Sequence, residues 1–212
     1  MPSRPGVRRD IRLGKISMEC VMTRPLIAVF LLALSGIAAA QDSDFSYSYL
    51  QLSYTKADFD NVASDGDGLG LTGSLELSPN FHVFGAYTGL DVGSSADASG
   101  WKLGMGLNTP LSRLMDIVVR LSWQSTEVPA PGPLPGTVDN DGLGFGAGLR
   151  VGANEWIEVY GGLTYLDLDS GNETVFDAGF LLNLSDAFAV GVSGSWDEDV
   201  SAWSLDGRLY FD

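Results

Sequence analysis

One cysteine, one histidine and only twelve lysines and arginines stand in a chain of 212 residues that carries 27 aspartates and glutamates. The formal net charge is −15, which excludes nucleic acid as a partner, because neutralising phosphates needs a basic face. Long apolar runs are also scarce. The run from Leu26 to Ala40 is about 15 residues, short of the roughly 20 that a spanning helix needs, and no other stretch approaches it. No segment is therefore expected to cross a bilayer as a helix. Cys20 precedes that run, the wrong order for a lipoprotein signal. Once it is lost with the leader, no thiol remains for a disulfide or a cysteine metal site.

Met22-Thr23-Arg24, the apolar run from Leu26 to Ile37, and Ala38-Ala39-Ala40 form a charged start, a short hydrophobic segment and a small-residue cleavage site. That order predicts a signal peptide over 22–40 and export to the periplasm and beyond. Residues 1–21 are basic and patternless, and Met22 makes the better start, so they are taken as an extension upstream of the true one. The pair Arg8-Arg9 lies too far from the apolar run for twin-arginine export. Six of the twelve basic residues leave with residues 1–40, but only Asp10 and Glu19 of the 27 acids. The remaining 41–212 then hold 6 basic against 25 acidic residues, a formal charge of −19, in a length that suits one domain.

In place of helices there is alternation. Leu69, Leu71, Leu75 and Leu77 fall on one side of an extended chain, and Gly68, Gly70, Thr72, Ser74 and Glu76 on the other, a period of two that belongs to a strand. Comparable stretches lie near 45–57, 67–78, 81–91, 100–108, 116–126, 142–152, 156–167, 174–184, 188–197 and 201–211. Tight connections alternate with longer ones rich in Asp, Gly, Ser or Pro, the asymmetry of periplasmic turns and outer loops. The pattern predicts an all-β fold, a closed antiparallel transmembrane β-barrel of about ten strands, with eight as the other count. Its lipid face would carry Leu50, Leu52, Leu103, Leu121, Leu163 and Leu205 among others, with no charge. In 81–91 two sets compete, and Phe84, Ala86 and Leu90 are favoured outward over Phe81, Val83 and Tyr87. Aromatic residues would gather near both strand ends, Trp101, Trp123, Trp196 and Trp203 by the long loops and Phe84, Phe188 and Phe211 by the short turns, as two interfacial girdles. A soluble sandwich would bear Lys and Glu on its polar face. Here that face is mostly Gly, Ser, Thr and Ala, which suits a narrow lumen.

By the same parity Glu76, Arg120, Arg150, Glu158 and Arg208 point inward in the periplasmic half, with Asp206 one step higher. Buried charges persist when paired and hydrogen-bonded, so a ladder of Arg–carboxylate pairs is expected across a largely plugged lumen. His82 follows the turn Ser78-Pro79-Asn80 and is expected at the periplasmic rim as an ordinary interfacial side chain. Without a base in reach of a nucleophile, no enzyme is expected. The outer loops collect acids. Asp167, Asp169 and Glu173, beside Gly171 and Asn172, are the candidates for a surface Ca²⁺ or Mg²⁺ site, although they lack the EF-hand spacing. No other cofactor is implied. Divalent ions could also bridge loop acids to lipopolysaccharide phosphates. Pro129 to Pro135 holds four prolines in seven residues, a stiff loop.

The alternation Trp203, Leu205, Gly207, Leu209, Phe211 resembles the C-terminal signal recognised by the barrel-assembly machinery, although Asp212 follows the aromatic residue. Leu77-Ser78-Pro79-Asn80-Phe81-His82-Val83-Phe84-Gly85-Ala86-Tyr87, with Tyr47-Ser48-Tyr49-Leu50, resembles a proteobacterial family of small outer-membrane barrels found in Xanthomonas and relatives, once discussed as quorum-sensing or immune-eliciting factors. The resemblance implies the outer membrane and an effect on biofilm or motility, and it brings no catalytic or ligand residues. The sequence thus predicts a monomeric outer-membrane barrel embedded in lipid and lipopolysaccharide, with a structural or surface-interaction role in adhesion or biofilm. The alternative is a narrow porin-like channel for small solutes or ions.

Overall fold

The computed structural model describes residues 43–59, 65–92, 97–129 and 137–211. The predicted extension and signal peptide, and the middle of the proline loop, lie outside the described residues. Ten strands follow one another: β1 Tyr49–Phe59, β2 Gly66–Ser78, β3 Phe81–Asp91, β4 Asp97–Ser112, β5 Met115–Pro129, β6 Thr137–Asn154, β7 Ile157–Leu168, β8 Gly171–Ser185, β9 Phe188–Trp196 and β10 Val200–Tyr210. Each pairs antiparallel with the next, and β1 pairs with β10 from Tyr49↔Tyr210 to Phe59↔Val200, which closes the barrel. Closure removes every sheet edge, so no backbone donor or acceptor of the wall is left facing lipid.

Register follows the alternation. Leu52 stands opposite Leu71 and Gly207, and Leu121 opposite Met105 and Phe145. Leu52, Leu69, Leu103, Leu163 and Leu205 are all more than half exposed on the outer wall. Charged residues that share this face, Lys56, Asp67, Asp91 and Asp167 among them, stand at the barrel end opposite the start of β1. A charge at mid-bilayer on this face costs about 2–4 kcal/mol, which explains their confinement.

The end at which β1 begins and β10 ends has four turns of two residues: Pro79-Asn80, Arg113-Leu114, Glu155-Trp156 and Asp186-Ala187. Each is preceded by one extra residue in its strand, Leu77, Leu111, Ala153 and Leu184, where the register shifts. The second turn residue then offers its carbonyl to the next hairpin. Asn80 accepts from the Asn108 N–H at 3.0 Å, Leu114 from Gly152 at 2.9 Å, Trp156 from Asn183 at 2.7 Å and Ala187 from Tyr210 at 2.9 Å. Short turns identify this end as periplasmic.

Three expectations are corrected. In β3 the outward residues are Phe81, Val83 and Tyr87, because pairing with β2 sets Val83 against Leu75 and Tyr87 against Leu71; Phe84 turns into the lumen, where its ring lies against Gly104. Trp156, not Phe84, joins Phe211 as an exposed aromatic at the periplasmic end. The first strand begins at Tyr49 rather than near residue 45, because residues 43–48 leave the sheet and enter the barrel mouth, where Tyr47 and Ser48 are buried.

Candidate functional site in the barrel lumen

Three layers fill the lumen from the periplasmic end. The lowest is the segment Ser43 to Ser48. The Tyr47 hydroxyl donates to Asp116 Oδ2 at 2.8 Å, and Ser43 Oγ donates to the same oxygen at 2.9 Å. The Ser46 carbonyl accepts from Arg150 Nη1 at 2.8 Å, and the Arg150 guanidinium stacks on the Phe45 and Tyr47 rings, 4.7 and 4.8 Å from their centroids. At the rim, Asp44 N–H donates to the Arg113 carbonyl at 3.0 Å and its carboxylate pairs with Arg113 at 3.3 Å. This last pair is well exposed and contributes little. The buried contacts hold the segment.

His82 belongs to this layer. It is 2% exposed, not an interfacial rim side chain. Its ring stacks on Tyr47 with centroids 4.7 Å apart, and its Nδ1 lies 3.4 Å from Asn108 Oδ1. The ring occupies the space that a Cβ on Gly106 would fill, so glycine at that lumen position lets the imidazole lie flat on the wall.

Above it lies the charged layer. Arg150 grips Glu158 with two parallel bonds, Nε to Oε1 at 2.6 Å and Nη2 to Oε2 at 2.9 Å, a fork geometry that pairs planar groups strongly. Arg208 Nη1 lies 3.8 Å from the same Glu158 Oε1. Its Nε and Nη2 donate to Gln51 Oε1 at 2.8 and 2.6 Å, and its guanidinium covers the Tyr49 ring at 4.2 Å. Asp206 sits on the wall beside it, accepting from Ser53 Oγ at 2.6 Å, Gln51 Nε2 at 3.1 Å and Ser193 Oγ at 2.7 Å.

The structure thus unites Arg150, Glu158 and Arg208 and joins Asp206 to them through Gln51. Glu76 stands apart and accepts from the Tyr47 backbone N–H at 3.4 Å. Arg120 makes no ion pair among the described residues; its guanidinium is 6.0 Å from the Phe84 ring centroid. In place of a ladder there is one cluster of Arg150, Glu158 and Arg208, with Asp206 attached through Gln51, and two outliers, Glu76 and Arg120. Sequence reading missed Ser43, Tyr47 and Asp116 in the plug and Gln51 and Lys102 in the lumen. Inward parity with Val118 and Arg120 marked Asp116, and parity with Gly104 and Gly106 marked Lys102.

The third layer is a cavity of about 380 Å³ in the barrel interior, lined by Tyr49, Tyr160, Lys102, Arg120 and Asp177 and floored by Arg150, Glu158 and Arg208.

The proposed metal ligands do not assemble. The two strands extend to Leu168 and from Gly171, which leaves only Asp169 and Ser170 as the turn. Asp167 opposes Asn172 on the outer face, while Glu173 opposes Leu166 on the lumen side. Among the described residues no three His, Cys, Asp or Glu side chains come together as a metal site.

A closed antiparallel barrel with an apolar belt outside and a polar, charged lumen inside is a transmembrane β-barrel, the architecture of outer-membrane proteins. The chain is an outer-membrane β-barrel protein. No protein-family model matches it, and no curated protein sequence matches it. Among solved structures it is similar to the KdgM porin, with 9% identity and a TM-score of 0.44 over 76% of this chain and 99% of that one. It is also similar to Ail, the attachment invasion locus protein of Yersinia pestis, solved in complex with the heparin analogue sucrose octasulfate, with 13% identity and a TM-score of 0.42 over 76% and 94%. For the N-terminal β-barrel domain of Pseudomonas aeruginosa OprF the values are 10% and 0.39, over 77% and 98%. The assignment to the class rests on the strand pairing and the outer belt.

Proposed function

We propose that this protein is a plugged outer-membrane surface barrel, with a structural or surface-interaction role rather than a transport role. The observation that carries the reading is residues 43–48 locked in the periplasmic mouth by Asp116 and Arg150. Ten strands leave only a narrow interior, and a segment bonded across the opening closes its periplasmic end. The outer loops, acid-rich around Asp58, Asp139 and Asp197, supply a surface that divalent ions would bridge to lipopolysaccharide phosphates. Adhesion or biofilm formation is the role that such a surface and the resemblance to the Xanthomonas-type barrels favour, and the barrel-assembly machinery is the partner that the Trp203–Phe211 alternation fits.

Planar-bilayer recording tests the plug. The protein purified from outer membranes is expected to give no discrete conductance, and deletion of Ser43 to Tyr47 to give small regular steps. Steady channel steps from the unaltered protein would establish the narrow-channel reading instead.

A further inference from the structure

The interior cavity is unusual in its charge. Arg113 and Lys56 apart, every basic residue after Ala40 lines it: Lys102, Arg120, Arg150 and Arg208. Two carboxylates share the lining, Glu158 and Asp177. Arg150 and Arg208 are committed to Glu158, Gln51 and the Ser46 carbonyl. Lys102 and Arg120 are not: among the described residues neither has a carboxylate within ion-pair distance. Both line the cavity, on neighbouring strands where Gly106 pairs with Arg120 and Lys102 with Gln124. The rest of the wall offers hydroxyl and amide groups from Thr72, Ser122, Gln124, Thr164, Ser193 and Ser195.

Two uncommitted cations facing each other's field cost free energy unless an anion sits between them. A chain with six lysines and arginines after Ala40 that places four of them around one cavity has concentrated positive potential there. The volume falls in the range of small-ligand sites, and the wall matches a molecule with several hydroxyls. We propose that the cavity binds a small hydroxylated organic anion, its carboxylate held between Arg120 and Lys102. The ligand enters from the outer end, since the plug and the Arg150–Glu158 pair close the other. The acidic loops repel anions at the entrance, a field that screening limits to about 8 Å at physiological salt.

The site stands apart from the plug reading, because channel steps would leave the site intact and loss of binding would leave the plug intact. Saturation-transfer NMR on the full chain in detergent micelles at physiological salt, with D-glucuronate as the probe and D-glucose as its neutral counterpart, tests it. Glucuronate is expected to bind at least about tenfold more tightly than glucose, and an Arg120→Gln, Lys102→Gln double variant to lose that preference, as removal of charge-assisted contacts implies. Arg120→Lys should keep the preference, and Asp177→Asn should strengthen it. Heat-modifiable mobility on gels reports whether each variant is folded; should the double variant fail to fold, the Asp177→Asn result decides. Equal binding of the two sugars, no glucuronate binding at millimolar concentration, an unchanged double variant or an unchanged Asp177→Asn overturns the proposal.

Discussion

Glu158 is the carboxylate shared by two guanidinium groups, in bidentate contact with Arg150 and 3.8 Å from Arg208, and it is 3% exposed. Taking it away leaves two cations in a confined interior with no anion of their own. Breaking a buried pair by removal of one partner costs about 3–5 kcal/mol. Glu158→Ala is expected to lower the unfolding free energy by that amount in urea titrations of the lipid-reconstituted barrel, and Glu158→Gln by less, because an amide oxygen still accepts from Arg150. A loss below about 1 kcal/mol would mean that lumen water already screens the pair. These partners were only half legible. Parity alone turned Arg120, Arg150, Glu158 and Arg208 inward, but pairing depends on side-chain reach across a curved wall, so Arg120 ended in the cavity and Gln51, a residue without charge, became the main acceptor for Arg208. His82 differs for another reason: its place beside a turn points to the rim, and what buries it is Tyr47, on a segment whose alternation runs on into the first strand.

The strands themselves were legible, because lipid outside and side chains inside impose a strict period of two, and a slip of one residue would turn every leucine inward. β3 was the exception. Its two faces are nearly equal in hydrophobicity, Phe81, Val83 and Tyr87 against Phe84, Ala86 and Leu90, so only the hydrogen-bonded register with Leu71 and Leu75 could separate them. The bulges before the periplasmic turns could not be foreseen from alternation either, yet they recur in all four hairpins. In three of them a polar side chain before the turn caps it: Ser112 Oγ accepts from Leu114 N–H at 3.3 Å, Asn154 Oδ1 from Trp156 at 2.8 Å and Ser185 Oγ from Phe188 at 3.1 Å. The extra residue steps each strand end so that the turn carbonyl meets the next hairpin, and the rim becomes a ring of bonds. Depth along the wall should therefore decide the cost of a charge. Leu205→Arg, mid-strand in β10 and 62% exposed to lipid, is expected to destabilise by about 2–4 kcal/mol, while Leu77→Arg at the bulge beside the first turn should cost about 0–1 kcal/mol. Equal costs in urea titrations from lipid bilayers would show that the two positions share a depth, against the turn placement.

At the scale of the whole molecule, the sidedness of the barrel ties the other features together. The start of β1, the end of β10, the plug, the charged layer and the four bonded turns occupy one half and the longer connections the other, with the cavity reaching from the charged layer toward the outer end. Reversal in the membrane would present the plug to the medium and the acidic loops to the periplasm. The scarcity of cysteine makes the direction measurable. The one cysteine, Cys20, lies in the stretch predicted to be removed before assembly, so the unaltered protein in cells should take up no membrane-impermeant maleimide. A cysteine introduced at Ser170, in the exposed turn between β7 and β8, is expected to react in intact cells. One introduced at Asp186, in the turn between β8 and β9 at the opposite end, is expected to react only after the outer membrane is permeabilised. Because β8 alone separates the two positions, the pair reports the direction of a single wall strand, and labelling of Asp186→Cys but not Ser170→Cys in intact cells would invert the barrel and place the plugged mouth at the cell surface.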